Sequence, residues 1–186
     1  MAHASDLPIP DRPPRVAVYP GVFDPPTLAH LEIVESALRL FDRLIVVVAF
    51  NPSKQRALFS PEERVELIRA SLTDAMRPYV DVEAYAGLIA PLAQERGACA
   101  LVRGMRPYAD ADAEIALALM NQKLAPMIPT VLLVTSARNV YLSSTFVRDT
   151  ATLGHLIVKG SVTPAVEEAL RQRFRSELNG TEEAPA

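Results

Sequence analysis

The run Leu44–Phe50, LIVVVAF, constrains the fold more than any other stretch of the chain. It is apolar at every position and rich in β-branched residues, so it reads as a strand buried on both faces. Strands of that kind belong in parallel sheets with helices packed on either side. Arg15–Tyr19, Tyr79–Tyr85, Ala98–Val102 and Thr130–Thr135 read as four further short strands. Helical patterns fall between them. Thr27–Phe41 carries a stripe of Leu28, Leu31, Val34, Leu38 and Phe41. Ser60-Pro61-Glu62-Glu63 is a capping box with proline at the first helical position, opening a helix through Val65, Leu67 and Ile68 that ends near Arg77-Pro78. Leu88–Arg96 is a short helix closed by Gly97, and Asp110–Met127 and Ser143–Thr152 are also helical in character. Pro164–Leu178 follows, with Val166, Leu170 and Phe174 on one face. Strands alternating with helices in this way predict an α/β fold, a doubly wound five-stranded parallel sheet. A single domain over residues 15–179 is expected, between tails at 1–14 and 180–186.

Composition narrows the function. A net charge of −3 with 22% charged residues gives no support to a nucleic-acid binder or a basic membrane-surface protein. No run approaches the roughly 20 apolar residues of a membrane span, and the proline-rich start lacks a signal-peptide core, so a cytoplasmic protein is expected. The single cysteine, Cys99, excludes an internal disulfide and a cysteine-based zinc site; lying in ACALV, it is expected to be a buried thiol.

In such sheets ligands bind outside the carboxyl ends of the strands. That rule gathers four segments which the sequence scatters: Gly21–His30, Asn51–Lys54, Arg103–Arg106 and Ser136–Thr145. They hold His30, Lys54, Arg103, Arg106, Arg138, Ser143, Ser144 and Thr145, all suited to phosphate, and Gly21–His30 adds a glycine turn before a helix N-terminus. A phosphorylated or nucleotide ligand is therefore expected. There is no G-x-G-x-x-G, no G-x-x-x-x-G-K-[ST] and no G-x-S-x-G, which argues against a dinucleotide redox site, a P-loop and a serine elbow. Metal-type His/Asp clusters are not evident, so a divalent ion is expected to arrive with the ligand's phosphates.

YPGVFDPPTLAH, with NPSK, LVRGMR and LSSTFVRD, resembles the nucleotidyltransferases with a T/H-x-G-H signature, and among them most closely the pantetheine-phosphate adenylyltransferases of coenzyme A synthesis. FSPEERVELI and VTPAVEEALRQRF fit too, so the resemblance runs from about Val16 to Arg173. It implies a Rossmann-like nucleotidyltransferase fold and adenylyl transfer from ATP, accompanied by Mg²⁺, to 4′-phosphopantetheine. It implies catalytic roles for His30, Lys54 and Arg106. Val22, Phe23, His30, Gly104, Met105, Arg106 and Glu114 would bind ATP, with Asn139, Val140, Tyr141, Leu142, Ser143, Ser144 and Thr145. Val22, Lys54, Ile89 and Arg103 would bind the acceptor. A homohexamer is implied as well. LSSTFVR is also close to the [IV]SST-x-[IV]R of nicotinamide or nicotinate mononucleotide adenylyltransferases. Transfer to another phosphorylated acceptor, or a nucleotide-binding paralogue with little activity, is the alternative.

The chain departs from the family pattern at defined places. Val22 stands where threonine or serine is usual, and the lost hydrogen bond to a charged group is worth about 1.5–3 kcal/mol. Ala29 replaces the glycine before the motif histidine, adding a methyl group where phosphates would approach. Ala111 and Ala113 replace aromatics flanking an acidic residue, and Asn139 stands where tryptophan is often found.

Overall fold

The computed structural model describes residues 12–53, 57–106, 110–152 and 160–180. Five strands, β1 (Val16–Gly21), β2 (Arg43–Ala49), β3 (Val80–Tyr85), β4 (Ala100–Met105) and β5 (Thr130–Val134), form one sheet in the order β3-β2-β1-β4-β5. Every neighbouring pair is parallel. Six helices accompany them: α1 (Leu28–Leu38), α2 (Pro61–Ser71), α3 (Ile89–Glu95), α4 (Ala111–Leu124), α5 (Ser144–Thr152) and α6 (Pro164–Gly180). The expected doubly wound sheet is thus present.

Strand periodicity divides the core. Ala17, Tyr19, Val46, Val48, Val82 and Val102 pack with Ile33, Val34 and Ala37 of α1 and Val65 and Ile68 of α2. The alternate residues Val18, Ile45, Val47 and Leu101 pack with Ala90, Leu92 and Ala93 of α3 and with Ala125 and Ile128. A third cluster, built on Phe59, Val147, Ala151, Val166 and Leu170, joins α5 to α6. Gly97 caps α3 at φ 63°, where a side chain would be strained.

The structure corrects several boundaries. β1 does not stop at Tyr19; Pro20 and Gly21 pair with Val47 and Val48. Proline is tolerated there because its carbonyl faces β4, accepting from Arg103, on a side where the β1–β4 ladder has ended at Val18–Leu101. β4 runs on through Arg103, Gly104 and Met105, which pair with Leu132, Leu133 and Val134. α2 ends at Ser71 rather than near Arg77. The buried residues of α1 are Ala29, Ile33, Val34 and Ala37, with Leu31, Leu38 and Phe41 packed partly buried beside them. Small alanines let the helix approach the sheet, and the leucines flank that contact. Cys99 is exposed, not buried. It precedes β4 between buried Ala98 and Ala100, and alternation turns it outward. At the chain's start, Arg12 lies against Asp42 at 2.7 Å.

Candidate active site

The β1–β4 ladder joins only Ala17 and Val18 to Ala100 and Leu101, so the two central strands part above it. The connections go to opposite sides of the sheet here, which makes this the switch point where such folds bind ligands. A pocket of about 250 Å³ opens there, lined by residues from β1, α1, β4, α4 and the entry to α5. Gly104 forms part of its wall, and a Cβ there would stand 2.8 Å from Ile33 Cγ1. A Cβ on Gly21 would meet the Phe23 ring at 2.6 Å, so this turn closes only around glycine.

His30 is oriented by its own helix terminus. The backbone N–H of Thr27 donates to His30 Nδ1 at 3.0 Å, the return half of a capping box in which the imidazole replaces the usual carboxylate. A backbone amide can only donate, so Nδ1 accepts and the neutral ring carries its proton on Nε2. The Phe23 ring meets the imidazole edge-on at 5.0 Å, and Phe23 adopts a φ of 50° to do so. Burial, with Arg106 and Arg103 nearby, pushes the His30 pKa down to about 4.

This lowering fixes a sign. The unfolded ring takes its proton near pH 6.5 and the folded ring near 4. The neutral ring's contribution to stability is therefore complete above pH 6.5 and is lost as pH falls through 4. Proton NMR of the ring is expected to show no titration between pH 6 and 8. Midpoint behaviour near 6.5 would show that the ring is solvated instead.

The two pocket arginines are held by carboxylates of α4 and its N-cap. Arg103 Nε and Nη2 donate to Glu114 at 2.6 and 2.7 Å, and Nη1 donates to the Pro20 carbonyl at 2.8 Å. Arg106 Nε and Nη2 each donate to Asp110 at 2.7 Å. These pairs raise both guanidinium pKa values despite the opposing effect of burial on Arg103. On the far side Leu142, Ser143 and Ser144 line the pocket at the start of α5. Ser143 Oγ accepts from Phe146 N at 3.0 Å, and Ser144 Oγ donates to the Pro25 carbonyl at 2.8 Å.

Of the residues expected from sequence, Val22, His30, Arg103, Gly104, Arg106, Glu114, Leu142, Ser143 and Ser144 line this pocket together. Phe23 supports it from behind His30. Met105 continues β4 beside it, and Ile89, at the start of α3, packs partly buried against the core cluster of Val18, Val47 and Leu101. Asn139 is drawn to the other side of α1, donating to Glu32 at 2.7 Å, and Arg138 borders the same neighbouring groove. Tyr141 stacks edge-on with Phe146 at 6.5 Å, Val140 is half-buried, and Thr145 is exposed and accepts from Arg148. Lys54 lies outside the described residues. Val22 is 61% exposed on the rim shared with a second cavity, and its carbonyl accepts from Arg64 at 2.9 Å. Ala29 lines the pocket, so its methyl group occupies the wall where the family has glycine.

Sequence reasoning missed Asp110 as the partner of Arg106, and Asp24, Arg64 and Arg148 as groups that fix the turn. The available signal was a single aspartate in an otherwise apolar turn, since a buried carboxylate needs partners. Thr135 also lines the pocket, and its buried hydroxyl has no hydrogen-bond partner among the described residues.

A family model described as cytidylyltransferase-like matches residues 18–150. A phosphopantetheine adenylyltransferase from Moorella thermoacetica is 44% identical over 160 residues, 86% of this chain and 98% of the relative. The chain belongs to the phosphopantetheine adenylyltransferase family. A second relative of that name, from Geotalea daltonii, is 41% identical over 162 residues, covering 87% of this chain and 98% of its own. A solved structure of a bifunctional NMN adenylyltransferase/ADP ribose pyrophosphatase from Francisella tularensis superposes with a TM-score of 0.64 at 18% identity. It covers 86% of this chain and 48% of that one, and shows the shared fold.

Proposed function

We propose that this enzyme transfers the adenylyl group of ATP to 4′-phosphopantetheine, releasing dephospho-coenzyme A and pyrophosphate. One observation carries the reading. His30 is held neutral with its Nε2–H unpartnered among the described residues, in one pocket with two arginines and the serines that open α5. An acceptor phosphate oxygen attacks the α-phosphorus as the α–β anhydride bond breaks, and pyrophosphate leaves with the bridging oxygen. No side chain forms a bond to phosphorus; the protein orients two anions and stabilises the charge that develops.

His30 Nε2–H donates to an α-phosphoryl oxygen, a bond that strengthens as negative charge grows there. Arg103 uses three of its five N–H groups on Glu114 and Pro20, leaving two for a phosphate of the acceptor. Arg106 and the serines at the start of α5 hold the ATP phosphates. Lys54 completes the set by its place in the family motif. Magnesium enters as part of the MgATP substrate. Asp110 and Glu114, the acidic residues lining the pocket, are each committed to an arginine.

An acceptor screen that follows pyrophosphate release tests the reading, with 4′-phosphopantetheine expected to be the productive acceptor. Release only with a mononucleotide would transfer the assignment to the sibling reaction. No helix of the described residues is long and apolar enough to cross a membrane, and we place the reaction in the cytoplasm. Ile115, Leu119, Met120 and Leu124 expose an apolar face along α4, beside Met127 and Val134. Large exposed apolar surfaces of this kind mark interfaces, which supports a homo-oligomer, and a hexamer by family. Sedimentation of the full chain is expected to give six times the monomer mass at micromolar concentration.

A further inference from the structure

The turn that carries Val22 to Pro26 is fastened from outside by groups that do not line the His30 pocket. Asp24 is 3% exposed, and its two carboxylate oxygens accept from the backbone N–H groups of Leu58 and Phe59 at 2.8 and 2.9 Å. Those amides belong to the connection between β2 and α2, 34 and 35 residues away in sequence. Arg148 of α5 donates to the Asp24 backbone carbonyl and lies 3.8 Å from Oδ2. Arg64, also 3% exposed, takes the Val22 carbonyl from the side of α2. One buried aspartate thus joins the turn before His30 to the connection after β2 through its carboxylate and to α5 through its backbone carbonyl.

We propose that Asp24 is a positioning residue for adenylyl transfer, clasping the β2–α2 connection and, through Arg148, α5 to the turn that carries His30. Both Asp24 oxygens are committed to backbone amides, and the side chain faces a second cavity rather than the His30 pocket, so it acts through its partners. The chemistry requires two anions in line, and a displacement of about 1 Å costs roughly a hundredfold in rate. A hub that registers the walls of the site against one another therefore governs turnover more than affinity. This inference rests on the adenylyl-transfer reading.

The test is Asp24→Asn, which keeps the shape but places an amide donor against a backbone donor. Expected are a kcat lowered by about tenfold to a hundredfold, a KM for ATP within about threefold of wild type, and faster amide exchange at Leu58 and Phe59. Unchanged kcat with accelerated exchange overturns the proposal, as does a fall in activity that only follows the unfolded fraction. Should that variant not fold, Arg148→Met releases the turn from α5. The same split is expected, and either an unchanged kcat or a loss expressed wholly in the KM for ATP overturns the role. Wild-type enzyme assayed alongside separates the two readings. If it makes no product with 4′-phosphopantetheine, the functional reading fails. The clasp is then judged with any acceptor that releases pyrophosphate, or, with none, by exchange at Leu58 and Phe59 in MgATP, where protection unaltered by Asp24→Asn overturns it.

Discussion

Replacing His30 by alanine is expected to lower kcat by two to three orders of magnitude while the affinity for ATP falls less than about tenfold. The asymmetry follows from where the Nε2–H bond is strongest. In the bound substrate the α-phosphoryl oxygens carry less charge than they gain in the reaction, and the imidazole adds little. In the transition state the same bond meets more charge in a water-poor pocket, and losing one such donor is worth about 3–4 kcal/mol. Alanine also leaves the Thr27 N–H without its partner, a helix-capping loss of about 1 kcal/mol. His30→Gln separates the two effects, because glutamine at this position can rebuild the capping box. It is expected to restore thermal stability to near wild type and leave kcat depressed. Steady-state kinetics with ATP binding by calorimetry checks this; parallel losses in binding and turnover would mean that His30 serves the ground state.

Arg103→Leu is expected to have the largest combined effect, abolishing measurable acceptor use and lowering Tm by about 10 °C. The Glu114 carboxylate, with a side chain 14% exposed, would be left without its guanidinium. Breaking such a pair costs about 3–5 kcal/mol, and a domain of this size loses roughly 2–4 °C per kcal/mol. The double replacement Arg103→Leu with Glu114→Leu removes the unpaired charge and is expected to recover most of the Tm with no recovery of activity. Calorimetry and pyrophosphate release on the three proteins read both outcomes. Recovered activity in the double variant would show that Arg103 serves the fold and not the phosphate.

The residues that told the fold and the residues that told the site were of different kinds. Continuous apolar runs such as Leu44–Phe50 reveal the parallel sheet, and the rule that ligands gather at strand ends is enough to bring His30, Arg103, Arg106 and Ser143 together. Strand ends were harder, because Pro20 and Gly104 look like breaks locally and are kept in the sheet by neighbours far along the chain. The inward face of α1 is legible at Val34 and, at its margin, Leu31, Leu38 and Phe41, whereas the buried Ala29, Ile33 and Ala37 fall outside that stripe. The Asp24, Arg64 and Arg148 network shows locally as a lone aspartate in an apolar turn, with no pattern that names its partners. Its bonds span 34 to 124 residues, and nothing in the neighbouring sequence encodes them.

The strand order has a further consequence. β2 and β3 lie to one side of β1, and β4 and β5 to the other. Both sides depend on the same central strand for alignment, while the loops that each contributes are separate stretches of chain. Each flank can therefore vary the length and sequence of its own loops while β1 keeps the strands aligned. Such a division allows one scaffold to diversify by exchanging half of its rim, while Ala17 and Val18, which pair with both neighbouring strands, keep the two halves in register.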